Sequence, residues 1–296
     1  TAQCAMLNKQ EHQLGWERTE NARKIHIDLK AVQSVSYLAK FVPVRAIQPD
    51  THYRFRSQNK FRRSMLDWGV FHVKPRFQES WQRYTRILHQ RNEYLKQGSV
   101  KEAVLTTWDS QLCEFAEEIA QARYDYTVDW IPQIRSVYEQ IFINSPRDID
   151  IEFYNGWKLE QLSEQLKLDR AKDIQKASTH SGCHRADISV TFDQQAMGAS
   201  ASQGQQKVLV LAMMLAQIEI LLSEPARGAQ PRLLLDDVPS ELDEEHRTRL
   251  MKYLSRLPIQ VFITTTEADQ VDVSMWPDCA MFHVEHGKIR AEDTVT

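Results

Sequence analysis

Glycine and proline are scarce, nine and ten in 296 residues, which excludes a fibrous or low-complexity polypeptide. Cysteine is scarcer. Cys4, Cys113, Cys183 and Cys279 are scattered and form no C-x-x-C pair, so neither a disulfide framework nor a zinc site is expected, and a reducing cytoplasm is the expected compartment. No run of 18 uncharged apolar residues occurs. The longest apolar stretch, Val208 to Leu222, is interrupted by Gln217 and Glu219. No membrane span is expected, and the opening residues do not read as a signal peptide. A phosphate loop is missing too. None of the nine glycines opens a G-x-x-x-x-G-K-[ST] pattern, and the one Gly-Lys pair, Gly287-Lys288, is followed by Ile289. What is present is an apolar content of 42%, enough for one large domain or two smaller ones with real cores.

The net charge of −3 conceals an asymmetry. Residues 1–100 carry 18 Lys and Arg against 8 Asp and Glu, and the remainder carries 19 against 32. The basic excess peaks at Arg54, Arg56, Lys60, Arg62 and Arg63, where Tyr53, Phe55 and Phe61 interleave it. Cations interleaved with rings suit a phosphate backbone with stackable bases. A solvated basic loop is the other reading.

Periodicity predicts the elements. Ile25, Ile27 and Leu29 alternate as in a strand, and Phe41 to Ile47 reads as a second. From Phe77, apolar residues Trp81, Leu88 and Leu95 recur at helical spacing. After Gly98-Ser99 come Leu112, Ile119 and Tyr126. Two amphipathic helices joined by a short break predict an antiparallel hairpin, either packed in the core or protruding as an arm. Pro132 is expected to kink or end the second helix. Ile149 to Phe153 and Ile188 to Phe192 read as strands around a charged helix from Leu159 to Ala177. Past Gly198 a loop, a long apolar helix, an apolar strand, a helix and a further strand alternate, which implies a parallel sheet flanked by helices. Met281 to Ile289 reads as a terminal hairpin.

Two features carry chemistry. The strand Leu233-Leu234-Leu235 ends in Asp236 and Asp237. In a parallel sheet such a tip lies at the carboxyl edge, where ligands bind. Asp236 suits a hydrated Mg²⁺, and Asp237 suits the orientation of an attacking water. Both could instead cap the next turn. Upstream, the loop Ser202-Gln203-Gly204-Gln205 opens the apolar helix. Ser202 can cap it, and Gly204 lets an anion approach its positive end.

These residues resemble a known family. Ser202 to Gln205 resembles the ABC signature, Asp236-Asp237 the end of a Walker B strand, and Ser240 to Asp243 a D-loop. The run Arg62 to Val73 (Arg-Arg-Ser-Met-Leu-Asp-Trp-Gly-Val-Phe-His-Val), with Gly182 to Asp187 and Gln260 to Thr266, resembles the RecF family of bacterial recombination mediators. The resemblance implies an α/β fold, an ABC-type ATPase head with an inserted, mostly helical second domain. Residues 1–73 and 181–296 would form the head and 74–180 the insertion. It implies ATP and Mg²⁺ as ligands, slow regulatory hydrolysis and an ATP-dependent homodimer. It implies binding to single-stranded or gapped DNA and work with RecO and RecR in loading RecA and inducing the SOS response. Ser202, Gly204 and Gln205 would contact the γ-phosphate held by the opposite protomer. Asp236 would serve the metal, Asp237 the water, Ser240 and Asp243 the dimer seam, and Arg62 and Arg63 the DNA. With Thr1 at the start and no Walker A loop, the expectation is an amino-terminally truncated member that cannot hydrolyse ATP alone. A non-enzymatic DNA-binding scaffold and an inactive fragment are the alternatives.

Overall fold

The computed structural model describes residues 2–5, 11–18, 23–32, 35–142, 148–224, 230–276 and 278–292. Strands β1 (Ala2–Ala5), β2 (Glu11–Arg18), β3 (Arg23–Ile27) and β4 (Lys30–Val32) form an antiparallel meander. The strand expected through Leu29 ends at Ile27. Asp28 and Leu29 both take positive φ, 50° and 65°, and make the two-residue turn into β4, the geometry that matches strand twist.

Helix α1 (Val35–Phe41) precedes β5 (Val44–Ile47), so the strand expected from Phe41 begins only at Val44. Pro43 keeps the residue before it out of the helical region and thereby separates the two elements. Helices α2 (Thr51–Ser57), α3 (Asn59–Val73), α4 (Phe77–Leu95) and α5 (Glu102–Ile141) follow. Helices α4 and α5 are an antiparallel hairpin. Ser80 meets Glu118 at its root, the Arg83 guanidinium lies over the Phe115 ring, and Arg91 meets Asp109 near its tip.

The hairpin is packed rather than free along its length. The second half of α5 lies on α8 (Gln203–Leu222) with Trp130, Ile134, Val137 and Ile141 fully buried. Pro132 does not end α5. Its missing N–H falls on the exposed side of the helix, where water can take the freed carbonyl. Buried contacts before and after it hold the axis, among them the hydrogen bond of 2.9 Å from Trp130 Nε1 to the Met213 carbonyl.

Strand β6 (Ile149–Tyr154), helix α6 (Leu162–Lys176), strand β7 (Asp187–Phe192), strand β8 (Gln195–Ala196) and the short α7 (Met197–Ser200) lead to α8. Strands β6, β7 and β8 form a small antiparallel sheet. By length and composition α8 could cross a membrane, yet most of it is buried among α5, α2, α3 and β5 as the core helix. Then come β9 (Arg232–Asp236), α9 (Glu244–Leu254) and β10 (Gln260–Thr264), and the chain closes with the hairpin β11 (Met281–Glu285) and β12 (Lys288–Glu292).

Strands β5, β9 and β10 make the predicted parallel sheet, in the order β10–β9–β5. Its two faces differ. Ile47, Leu233 and Leu235 are buried on one face, while Val44, Leu234 and Phe262 are exposed on the other. Parallel sheets are ordinarily covered on both faces. Among the described residues only one face of this sheet is.

Candidate functional site

The carboxyl edge of the parallel sheet gathers the acidic residues. Strands β9 and β10 pair in register with Thr264 beside Asp236. The Thr264 hydroxyl donates to Asp236 Oδ1 at 2.8 Å and accepts from the Asp237 N–H at 3.0 Å. The same N–H reaches the Thr264 carbonyl at 3.1 Å. At Asp237 the chain turns sharply out of the strand with φ of 53°, a left-handed conformation that an aspartate tolerates better than bulkier residues do. Ser240 Oγ donates to the Asp237 carbonyl at 2.7 Å and fixes the turn. The side chain of Asp237 is left unusual: its Oδ1 is buried with no donor among the described residues. A buried carboxylate oxygen without a donor is costly. Asp236 is exposed at the strand tip, where a cation can reach it.

The Ser202 turn opens α8 with a complete capping box. The Gln205 N–H donates to Ser202 Oγ at 3.2 Å, and the Ser202 N–H donates to Gln205 Oε1 at 2.9 Å. The serine is therefore the helix cap that the sequence allowed, and the remaining first-turn N–H groups stay oriented along the axis. Gly204 is exposed, and a Cβ placed there would meet only Ser202 Oγ, at 3.9 Å. The positive end of α8 is thus open to an anion.

One turn further, Lys207 forms an ion pair with Glu241, which lies just after the Asp237 turn. This contact ties the start of α8 to the segment Val238 to Leu242. Ile47, His52, Lys207, Val210, Val238 and Leu242 line a small cleft between them. Asp243 caps α9 by accepting from the His246 N–H at 3.0 Å. That N–H, together with the His246 side chain, holds the Asp243 carboxyl below its ordinary range. The Lys207–Glu241 pair thus links the helix that the Ser202 turn opens to the segment that carries Asp237, Ser240 and Asp243.

Arg62 and Arg63 are engaged inside the molecule. Arg62 closes on Asp187 through Nε and Nη2, both at 2.7 Å, and its Nη1 donates to the carbonyls of Phe55 and Arg56. Arg63 Nη1 donates to the Ala186 carbonyl at 2.9 Å, and burial lowers its pKa. Arg62 pins α3 to the first residue of β7, and Arg63 pins it to the loop just before. The exposed cations of the basic stretch are Arg56, above the Tyr53 ring, and Lys60.

The same loop holds Cys183 and His184. The Tyr84 hydroxyl lies 2.6 Å from His184 Nδ1, and His184 Nε2 lies 3.2 Å from the Thr179 carbonyl. A carbonyl only accepts, so Nε2 carries the proton and Nδ1 accepts from the tyrosine. Burial pulls the His184 pKa down to about 4 and pushes the Cys183 thiol up to about 12, so both are neutral at pH 7. Beneath them Arg123, fully buried, grips Asp67 through Nε and Nη2 and donates to the Cys183 carbonyl.

Sequence reasoning missed Thr264 as the residue that organises both aspartates, the Lys207–Glu241 pair and the Arg123–Asp67 pair. Their partners are 27 to 56 residues apart in sequence. Asp67 and Thr264 lie in the runs Arg62 to Val73 and Gln260 to Thr266, but only strand register and helix packing set their pairings.

No protein-family model matches the chain. Individual relatives do. The DNA replication and repair protein RecF of Thioalkalivibrio sulfidiphilus is 35% identical over 281 residues, covering 95% of this chain and 77% of the relative. RecF of Pseudomonas fluorescens SBW25 is 37% identical over 271 residues, covering 90% of this chain and 72% of the relative. Among solved structures, the recombination mediator RecF with ATP superposes with a TM-score of 0.82 at 22% identity, covering 97% of this chain and 77% of that one. An Smc head domain of Pyrococcus furiosus superposes with a TM-score of 0.51 at 10% identity, over 95% of this chain and 71% of that one. These superpositions identify the α/β fold as that of an ABC-type ATPase head. With identity above one third spread over nearly the whole chain, the protein belongs to the RecF family of DNA replication and repair proteins.

Proposed function

We propose that this chain works in DNA replication and repair as an ATP-responsive DNA-binding head, and that it contributes the signature turn and the acidic strand tip to a composite nucleotide site. The observation that carries the reading is Asp237: a carboxylate held in a left-handed turn at the carboxyl edge of a parallel sheet, with one oxygen buried and undonated. Strain and unmet hydrogen bonding of this kind cluster where a reaction supplies the missing partner. In this scheme Asp237 orients the attacking water and Asp236, steadied by Thr264, holds the water shell of Mg²⁺. Ser202, Gly204 and Gln205 meet the γ-phosphate of ATP bound by a second protomer, with Ser240 and Asp243 at the seam. Relatives named RecF, and one determined with ATP, support this choice of ligand.

Residues 1–73 and 181–296 act as the head in this proposal and 74–180 as an insertion. The insertion is anchored by the burial of the second half of α5 against α8. DNA, single-stranded or gapped, lies on the basic stretch around α2 and α3. Arg56, Lys60 and Tyr53 face it, while Arg62 and Arg63 hold its base in place. RecO and RecR are the proposed partners, RecA loading and SOS induction the proposed outcome, and the cytoplasm the proposed location. The solved RecF with ATP, described as part of the RecFOR pathway, motivates these partners.

The test uses light scattering and phosphate release. Alone, the 296-residue chain should stay monomeric with ATP and release no phosphate, because it has no phosphate loop. Mixed with a full-length RecF relative, it should form ATP-dependent heterodimers that Ser202→Arg abolishes. Heterodimers indifferent to Ser202→Arg would remove the turn from the nucleotide site. Robust turnover by the chain alone, lost in Asp237→Asn, would overturn the composite reading.

A further inference from the structure

Arg45 sits on β5 with 6% of its surface exposed, yet no carboxylate meets it among the described residues. Its Nε and Nη2 are buried without an acceptor. Those two atoms form the fork by which a guanidinium grips two oxygens at once. Elsewhere in this chain the same fork is closed, on Asp187 by Arg62 and on Asp67 by Arg123. Arg45 has instead the ring of Trp68, 4.8 Å from its Cζ, which supports a cation without neutralising it. Burial draws its pKa down to about 9, so the group is still charged at pH 7. A buried, unpaired charge is costly, and such charges are ordinarily paired.

Arg45 also lines a cleft where β5 meets α2 and α3. Arg54 lines it as well, its guanidinium stacked 4.5 Å above the Phe61 ring. Gln48 and Ser64 add polar atoms to the wall, and among the described residues no acidic side chain lines it. Two cations without an acid match a doubly charged oxyanion better than a single carboxylate. The cleft is lined by none of Ser202, Gly204, Gln205, Asp236 or Asp237, although it shares Gln48 and Thr51 with the small cleft beside Lys207.

We propose that this cleft binds a phosphate-type oxyanion, either inorganic phosphate or the phosphoryl group of a small monoester, with Arg45 at its floor and Arg54 at its rim. Calorimetry on the 296-residue chain tests this with sodium phosphate and with glycerol 3-phosphate at pH 7.5. Sodium chloride and sodium acetate at matched ionic strength are the controls. Saturable binding of one phosphate per chain is expected, weakened at least tenfold by Arg45→Met and measurably by Arg54→Ala. If Arg45→Met fails to fold, Arg45→Lys, which keeps the charge and loses the fork, takes its place and should weaken binding likewise. Binding of both probes supports the shared site. Binding of glycerol 3-phosphate alone assigns it to a monoester. Equal affinity in the wild type, the Arg45 variant and Arg54→Ala would overturn the proposal, as would a heat signal that chloride or acetate reproduces.

Discussion

Acidification offers a test of the packing around His184. The ring is neutral and half-buried between Tyr84 and Thr179, with a pKa of about 4 against 6.5 for the free side chain. Above pH 6.5 neither the folded nor the unfolded chain protonates it, and it adds no pH dependence. Between 6.5 and 4 the unfolded chain takes up a proton that the folded chain refuses, so stability falls as pH falls. The loss from this one group is about 2 kcal/mol at pH 5 and approaches roughly 3 kcal/mol below pH 4. Carboxylates titrate over the same range, so the effect must be isolated by difference. His184→Gln keeps an acceptor for the tyrosine and a donor for the carbonyl but cannot take up a proton. Urea denaturation followed by circular dichroism, at pH 7.5 and pH 5.0 for both proteins, gives the four stabilities required. The wild type should lose about 2 kcal/mol more than the variant over that interval. Equal losses, within a few tenths, would mean that the ring is solvated or already charged in the folded protein, and the account of the Gly182 to Asp187 loop would fail.

Other substitutions probe other contacts. Arg123→Met strands Asp67 and the Cys183 carbonyl without their donor and should lower stability by about 3–5 kcal/mol, read from chemical denaturation. Gly69→Ala places a Cβ 2.1 Å from Tyr126 Oη, which forces a shift in α5 costing about 1–3 kcal/mol. Adding Tyr126→Leu, which removes the ring carbons that the new Cβ would also strike, should recover part of the loss in thermal melts. Ser202→Ala removes the capping box and should cost about 0.5–2 kcal/mol in the same melts, even without nucleotide. In DNA-binding titrations, replacing Arg56 and Lys60 with Ala should reduce the salt slope by roughly one to two. Arg62→Lys, which breaks the Asp187 fork, should instead lower stability and leave the slope unchanged.

Much of the framework was legible because it is written in local patterns. Apolar residues at helical spacing placed α4, α6 and α8. Alternation placed β6 and β7, and the run Leu233 to Leu235 placed β9 with its two aspartates at the tip. Strand β9 and its neighbours then paired in parallel, as the alternation of elements required. Local rules failed where a distant surface overrode them. The helix α5 runs through Pro132 because Trp130 and Ile134 are anchored on α8.

What the sequence by itself determined is the order of elements and the identity of the motif residues, since hydrophobic period, helix caps and turn preferences act within a few residues. The tertiary structure alone decided what those residues do. It turned Arg62 inward onto Asp187, set Thr264 between two aspartates and, among the described residues, left one oxygen of Asp237 undonated and buried Arg45 with no carboxylate to meet it. Each depends on atoms brought together from distant parts of the chain. Electrostatics and hydrogen bonding at such points are fixed by distance in space, which spacing along the sequence does not encode.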